Sequence, residues 1–268
     1  MTTEMETLKS RLRATWMAGD FGEIALTYAG GVPDFINEIG IKHGDKVLDV
    51  ACGTGNQSLP TAKLGAVVTG VDIAANLIDQ AKTNAEKAGL TIKFEVGDAE
   101  SLPYEEASFD VVLSMYGAMF APRPDRVASE FARVCRPGGI MAMGNWTAEG
   151  FVGQMFKLTG KHVPPPAGMP SPLLWGNDEA VRERFGDYAG EIELIRRDID
   201  FVLPMSPAET VEFFRLYYGP TQKAFEAAGD NAPALRKDLE EWWTVNNKAG
   251  DGSTLVSSEY LIVKAKRA

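Results

Sequence analysis

Cysteine is scarce in this chain: Cys52 and Cys135 are the only two among 268 residues. Both stand in apolar surroundings, so no disulfide framework is expected, and a reducing cytoplasm is the expected setting. Long apolar runs are missing too, and none approaches the roughly 20 residues that a membrane-crossing helix needs. The first residues, MTTEMETLKSRLRATWMAGD, mix acids and bases with no apolar stretch and no small-residue cleavage site, which reads as no signal peptide. Basic residues are outnumbered, 27 Lys and Arg against 37 Asp and Glu, for a net charge of -10. Such a surface repels a polyphosphate backbone, so nucleic acid is not an expected partner, whereas small molecules are left open. Histidine occurs only at His43, in a turn where it reads as solvated, and at His162.

What is present is ordinary for a globular protein: 45% hydrophobic and 24% charged residues. The first forty residues read as helices, with Leu8, Leu12, Trp16 and Met17 at helical spacing and VPDFINEIG ending on Gly40. Short apolar runs then alternate with amphipathic ones. KVLDVA, AVVTGVD, TIKFEVGD, DVVLSMYG and IMAMGNW read as strands. GNQSLPTAKLG, AANLIDQAKTNAEKAG and PDRVASEFARVCRPGG read as helices between them. That alternation implies crossover connections and a parallel sheet covered on both faces. Beyond Trp146, KHVPPPAGMPSPLLWGND is too rich in Pro and Gly for a long element and reads as a loop or lid. A strand ending in IDFVLP, a helix opening on SPAETVEFF with a Ser cap and an acid three positions on, a helix APALRKDLEEWW and a closing strand follow. The expected organisation is one α/β domain over 1–268: an N-terminal helical cover (1–40), a ligand-binding core (41–146), lid and substrate-side additions (147–249) and a terminal strand (250–268).

The loop VLDVACGTGN lies between the first strand and the first crossover helix, where open α/β sheets bind ligands. Gly53 and Gly55 let the backbone curl and a ligand approach it. Three acids add to this signal. Asp72 ends the second strand, nineteen positions after Gly53, where an acid accepts from ribose hydroxyls. Asp98 ends the third strand, beside the place of an adenine, where a carboxylate can accept from an amino group. Asp49 precedes the glycines. A fixed anion there repels a diphosphate and suits a cation, such as an amino acid's ammonium together with a sulfonium.

VLDVACGTGN, VTGVDIA, GDAESLPY, FDVVLSMYGAMFAP and RVCRPGG together resemble the successive motifs of class I S-adenosylmethionine-dependent methyltransferases, most closely the ubiquinone/menaquinone-biosynthesis-type branch. The resemblance covers roughly residues 40 to 146. It implies a Rossmann-like, mostly parallel seven-stranded sheet with an antiparallel last strand, which YLIVKAKRA would supply. It implies that Gly53 and Gly55 flank the donor's methionine part, that Asp72 binds ribose, that Asp98 and Ala99 hold adenine with Ile73 packed on its ring, and that Met115 lies near the donor. S-adenosylmethionine is then the cofactor, S-adenosylhomocysteine its product, and the acceptor a small, partly apolar molecule.

Candidates for chemistry on the acceptor are His162, in the lid segment, and Tyr116, which follows the strand that should end at the reacting methyl. Phe120, Met119, Trp146, Phe213, Phe214, Tyr217 and Tyr218 could line an acceptor pocket. Trp16, Gly19, Asp20 and Tyr28 could fold over the donor. No general base declares itself. No metal is expected, since SMYGAMF and GNWTAEG carry only Glu149 where magnesium-dependent catechol-type relatives cluster carboxylates. Two rivals remain. A nicotinamide-dependent dehydrogenase would want a small third residue where Ser58 stands, and the pair Tyr260 and Lys264, on a strand, would be roughly 13 Å apart. A non-catalytic donor-binding module fits the absence of a base.

Overall fold

The alternation of apolar runs resolves into a helix-covered sheet in the computed structural model, which describes residues 3–166 and 169–268. Met1 and Thr2, and Ala167 and Gly168 of the expected lid, lie outside the described residues. In chain order, α1 (Thr3–Trp16), α2 (Phe21–Leu26) and α3 (Val32–Ile39) precede β1 (Lys46–Val50), α4 (Ser58–Lys63), β2 (Val67–Asp72), α5 (Ala75–Lys87) and β3 (Lys93–Val96). Then come β4 (Phe109–Met115), α6 (Pro124–Val134), β5 (Cys135–Trp146), α7 (Phe151–His162) and α8 (Asp178–Phe185). β6 (Ala189–Leu203), α9 (Pro207–Tyr217), α10 (Gly219–Ala228), α11 (Ala232–Asn246) and β7 (Thr254–Arg267) complete the chain.

The strands form one seven-stranded sheet in the order β3-β2-β1-β4-β5-β7-β6. β1 to β5 pair in parallel and β7 enters antiparallel beside β5. The chain winds outward from β1 in both directions, so β1 and β4 flank the switch point where such sheets bind ligands. β1 is buried on both faces after Lys46, as a central strand beneath two helix layers must be.

The chain packs as two compact units, one of residues 31–148, 170–197 and 260–268, the other of residues up to 30, 149–169 and 198–259. In the first, α5 lays Leu77, Ile78, Ala81 and Ala85 inward at helical spacing. Ile78, Ala81 and Ala85 meet Cys52 and Phe94 in a buried cluster that underpins the glycine loop. α3 starts with Pro33 in its first turn and stops at Gly40, whose φ of 75° closes the helix with a bond from its N–H to the Ile36 carbonyl.

In the second unit, α9 opens with a reciprocal cap. The Ser206 hydroxyl accepts from the Glu209 N–H, and the Glu209 carboxylate accepts from the Ser206 N–H at 2.9 Å. Ser206→Ala should cost about 1 kcal/mol. Urea unfolding would check it, and an unchanged midpoint would show that the cap adds nothing.

The boundaries of several elements differ from the sequence reading. α6 stops at Val134, and CRPGG belongs to β5. Pro137 has no N–H to continue a helix and pushes Arg136 toward extended backbone. The strand absorbs the misfit in a bulge: Phe109 pairs with Cys135, and Val111, two residues on, pairs with Ile140. α8 went unread. It is capped by the Asn177 side chain, which accepts from the Ala180 N–H at 3.0 Å, and it buries Val181 and Phe185. Within the stretch expected to hold the lid and substrate-side additions, residues 150–177 are packed at both ends. The first part is α7, whose Phe151 packs between Trp242 and Trp243, at ring-centroid distances of 5.6 and 4.7 Å. The last part places Trp175, 1% exposed, against Phe185 and beneath the Arg184 guanidinium.

Candidate active site

The chain leaves β1 through a loop that few residue types could build. Ala51, Gly53 and Gly55 take positive φ values of 56°, 54° and 88°. A side chain at Gly55 would also strike Leu59, 2.6 Å away. That contact is with the tip of a flexible side chain that can move aside, so it is the left-handed backbone that demands glycine here. The loop is tied down by Gly55 N–H to the Cys52 carbonyl (2.9 Å) and by the Asn84 side chain to the Thr54 carbonyl (3.1 Å).

Asp72, 7% exposed, is the clasp between the first two strand ends. One oxygen accepts from the Gly53 N–H at 2.9 Å and the other from the Ala74 N–H at 2.8 Å. Burial raises its carboxyl above the usual range, against the pull of those two amides. The Gly97 N–H in turn donates to the Asp72 carbonyl at 2.9 Å. That bond brings the loop carrying Asp98 and Ala99, both half-buried, to the same edge. Ile73 follows Asp72 and is half-buried.

Asp49 sits in the middle of the sheet, in register with Gly70 on β2 and Leu113 on β4. It is 1% exposed. The Ser58 hydroxyl donates to one oxygen at 2.5 Å, and the other oxygen is buried with no partner. Burial, with the Asp72 charge nearby, pushes its carboxyl up to about 7, against the lowering bond from Ser58. A buried acceptor without a donor is costly unless something positive or protonated fills the gap.

At the end of β4, Met115 is buried in register with Gly144, and Tyr116 turns through a φ of 60°. A non-glycine residue held there stores strain of the kind that gathers at functional sites. Ala51, its counterpart at the end of β1, is strained likewise, and a side chain at Gly117 would meet its Cβ at 2.6 Å. The Tyr116 ring stacks on Trp146, 3.8 Å between centroids and 7° between planes, with Tyr260 edge-on at 5.4 Å. Tyr260 lies on β7 as a strand residue, so Tyr260 and Lys264 share no helix turn.

The structure thus brings Asp49, Gly53, Gly55, Asp72, Ile73, Asp98, Ala99, Met115 and Tyr116 to the carboxyl ends of β1 to β4. His162 belongs to the other unit, at the last turn of α7. Its Nε2 is 2.8 Å from Asp238 and its Nδ1 is 3.0 Å from the Asn231 amide, so both ring nitrogens are engaged. In that unit Asp20 caps α2 by accepting from the Gly22 N–H, and Trp16 meets Tyr218 edge-on at 6.1 Å. Sequence reading passed over Ser58 as the partner of Asp49; a hydroxyl nine positions after an acid carries no signal of its own. Among the described residues no group of three His, Cys, Asp or Glu could hold a metal ion, and no helix is long and apolar enough to cross a membrane.

Residues 48–143 match the family model described as a methyltransferase domain. A crystal structure of a Bacillus halodurans protein shares the fold, with a TM-score of 0.59 at 17% identity over 88% of this chain and 98% of that one. The match spans the glycine loop and its acids, so residues 48–143 are similar to a methyltransferase domain on a shared fold. Two uncharacterized proteins of Mycobacterium tuberculosis, Rv1403c and Rv1405c, are 36% and 35% identical to the chain over 99% and 98% of its length and 97% of theirs. The protein belongs to the family of these two full-length relatives. A sterol 24-C-methyltransferase of Gibberella zeae is 42% identical over 41% of this chain and 30% of its own.

Proposed function

We propose that the protein transfers a methyl group from S-adenosylmethionine to a compact, partly apolar small molecule by in-line displacement. The observation that carries this reading is the partnerless, buried oxygen of Asp49 beside a left-handed glycine loop. It fits a ligand whose reacting end is cationic and disfavours one that brings a diphosphate to the loop. Ser58 holds the other oxygen, so the carboxylate is fixed beside the loop where a diphosphate would have to lie. S-adenosylmethionine supplies, when bound, an electrophilic methyl on a sulfonium.

Within this reading each residue of the chain has a part. Asp49 complements the donor's positive charge, Asp72 accepts from its ribose, and Asp98 with Ala99 meets its adenine. The Tyr116 and Trp146 stack gives the end of β4 a rigid aromatic wall against which an acceptor can be aligned and from which water is kept. His162 is held on both sides by Asp238 and Asn231, and acts as a base only if one of those bonds opens. An acceptor that needs no proton removed before attack suits this site best. That is also why a non-catalytic donor-binding module stays as the second reading, and why turnover with any acceptor decides between the two. The motif resemblance to the ubiquinone/menaquinone-biosynthesis-type branch supports a partly apolar acceptor.

The test is calorimetry on the purified protein with no acceptor present. S-adenosylmethionine is expected to bind at one site and NAD not at all. Binding of NAD without S-adenosylmethionine would overturn the proposal.

A further inference from the structure

The loop after β3 carries Asp98 and Ala99, yet contains no helix that would give it a shape. Its local bonds, from the Glu100 N–H to an Asp98 oxygen (2.9 Å) and from the Ser101 N–H to the Asp98 carbonyl (2.9 Å), fold the loop on itself. The Gly97 N–H to the Asp72 carbonyl ties the start of the loop to β2. Two acid–base pairs hold its course beyond that point. The Glu100 side chain, fully buried, accepts from the Arg123 N–H at 2.6 Å and from the Arg123 guanidinium at 2.7 Å, just before α6 begins. On α6, Glu130 accepts from the Leu102 N–H at 2.7 Å. Arg133, one turn further, bonds both oxygens of Glu130 at 2.7 Å. Its guanidinium also donates to the Leu102 carbonyl (2.9 Å) and the Tyr104 carbonyl (2.6 Å). Burial alone would raise the Glu130 carboxyl, but Arg133 and the Leu102 amide outweigh it and hold it below the usual range.

Buried ion pairs of this kind add little net stability, since apolar side chains of similar size would serve as well or better. Their effect here is geometric. Three loop residues, Glu100, Leu102 (through both its N–H and its carbonyl) and Tyr104, are fixed by groups from or beside one helix. The planar guanidinium fork of Arg133 serves an acid and two carbonyls at once, which a lysine could not.

We infer that Glu130 and Arg133, with Glu100 and Arg123, are positioning residues for the donor's base: they preset residues 98–104 so that the Asp98 carboxylate meets the exocyclic amine of adenine. This rests on the proposed role of Asp98 and adds to it the device that selects the base. None of the four touches the donor in this scheme. They act through the loop.

The experiment compares two ligands by calorimetry on the full chain: S-adenosylhomocysteine, and S-inosylhomocysteine, in which a carbonyl replaces the amine. The parent is expected to favour the adenosyl compound about tenfold or more, since the inosyl carbonyl would face a carboxylate without a proton between them. In Arg133→Lys and in Glu130→Gln, that preference should fall to about threefold or less as the loop loosens. Arg136→Ala breaks an exposed pair with Asp110 in the same RVCRPGG stretch and should keep the parental preference. A folded Arg133→Lys or Glu130→Gln with the full preference overturns the inference. A parent that does not distinguish the ligands overturns the role of Asp98, and the inference with it, before any variant is made. Should neither variant fold, amide exchange on the parent decides: the Leu102 amide is expected to be protected before donor product is added. Free exchange of residues 98–104 until the ligand binds would show that nothing presets the loop.

Discussion

Asp49→Asn is expected to give a donor-free protein more stable than its parent at pH 8, and one that binds S-adenosylmethionine at least tenfold more weakly. The Asp49 carboxyl is pushed up to about 7 from an ordinary 3.8 because it is buried and one oxygen lacks a donor. Between those two pH values the folded chain holds a proton that the unfolded chain has released. Stability of the free protein therefore falls as pH rises from about 4 and levels off above about 7. A shift of that size is worth roughly 4 kcal/mol at full effect. Asparagine carries no charge to desolvate and keeps an oxygen for the Ser58 hydroxyl, but leaves an amide N–H without an acceptor at a cost of about 1–3 kcal/mol. The net gain at pH 8 is then about 1–3 kcal/mol, and at pH 5 it vanishes or reverses. The donor's positive charge needs the carboxylate, so the parent's affinity should climb with pH up to about 7 and flatten beyond, whereas the variant's should not respond. Urea unfolding at pH 5 and pH 8, with donor titrations at both, reads all of this. A stability difference between variant and parent that is the same at both pH values would sink the idea.

The candidate site, as a cluster, was legible because its residues are local in sequence and lie at or just beyond strand ends. Asp49, Gly53, Gly55, Asp72 and Asp98 all stand at strand ends, and strands buried on both faces declare themselves as apolar runs. The seven-stranded sheet with its antiparallel last strand followed from the resemblance, and the strand order bears it out. What stayed hidden was carried by pairs far apart in the chain. Glu100 meets Arg123 across 23 residues, and Arg133 meets the Leu102 carbonyl across 31, with no spacing rule to announce either contact. Gly55 reads as a place for ligand approach, and its φ of 88° gives the backbone a second reason for glycine there. The stretch after Trp146 is ambiguous in another way. Its apolar residues must pack on the protein or on a substrate, and nothing local says which: Phe151 finds Trp242 and Trp243, more than ninety residues on, and Trp175 finds Phe185. α8 was missed because Asp178, Glu179, Arg182, Glu183 and Arg184 mask its two buried positions, Val181 and Phe185.

Asp72→Ala should lower the affinity for S-adenosylhomocysteine by roughly 30- to 150-fold, about 2–3 kcal/mol, through two losses that one experiment separates. The first is direct: a carboxylate that accepts from ribose hydroxyls is gone. The second is the clasp, since the Gly53 and Ala74 amides now donate to Asp72 oxygens at 2.9 and 2.8 Å. Without it, both amides turn to water and the loop between β1 and α4 loosens. The two are told apart with a product analogue whose ribose lacks both hydroxyls. On the parent, removing the hydroxyls should cost most of the direct part, about tenfold or more. On Asp72→Ala it should cost almost nothing further, because the group that received those hydroxyls is absent. Their coupling, read as a double-mutant cycle, isolates the ribose contact, and the remaining loss measures the clasp. Strictly additive losses would mean that Asp72 holds the loop and never touches the ribose, and the donor would have to be placed differently over the strand ends.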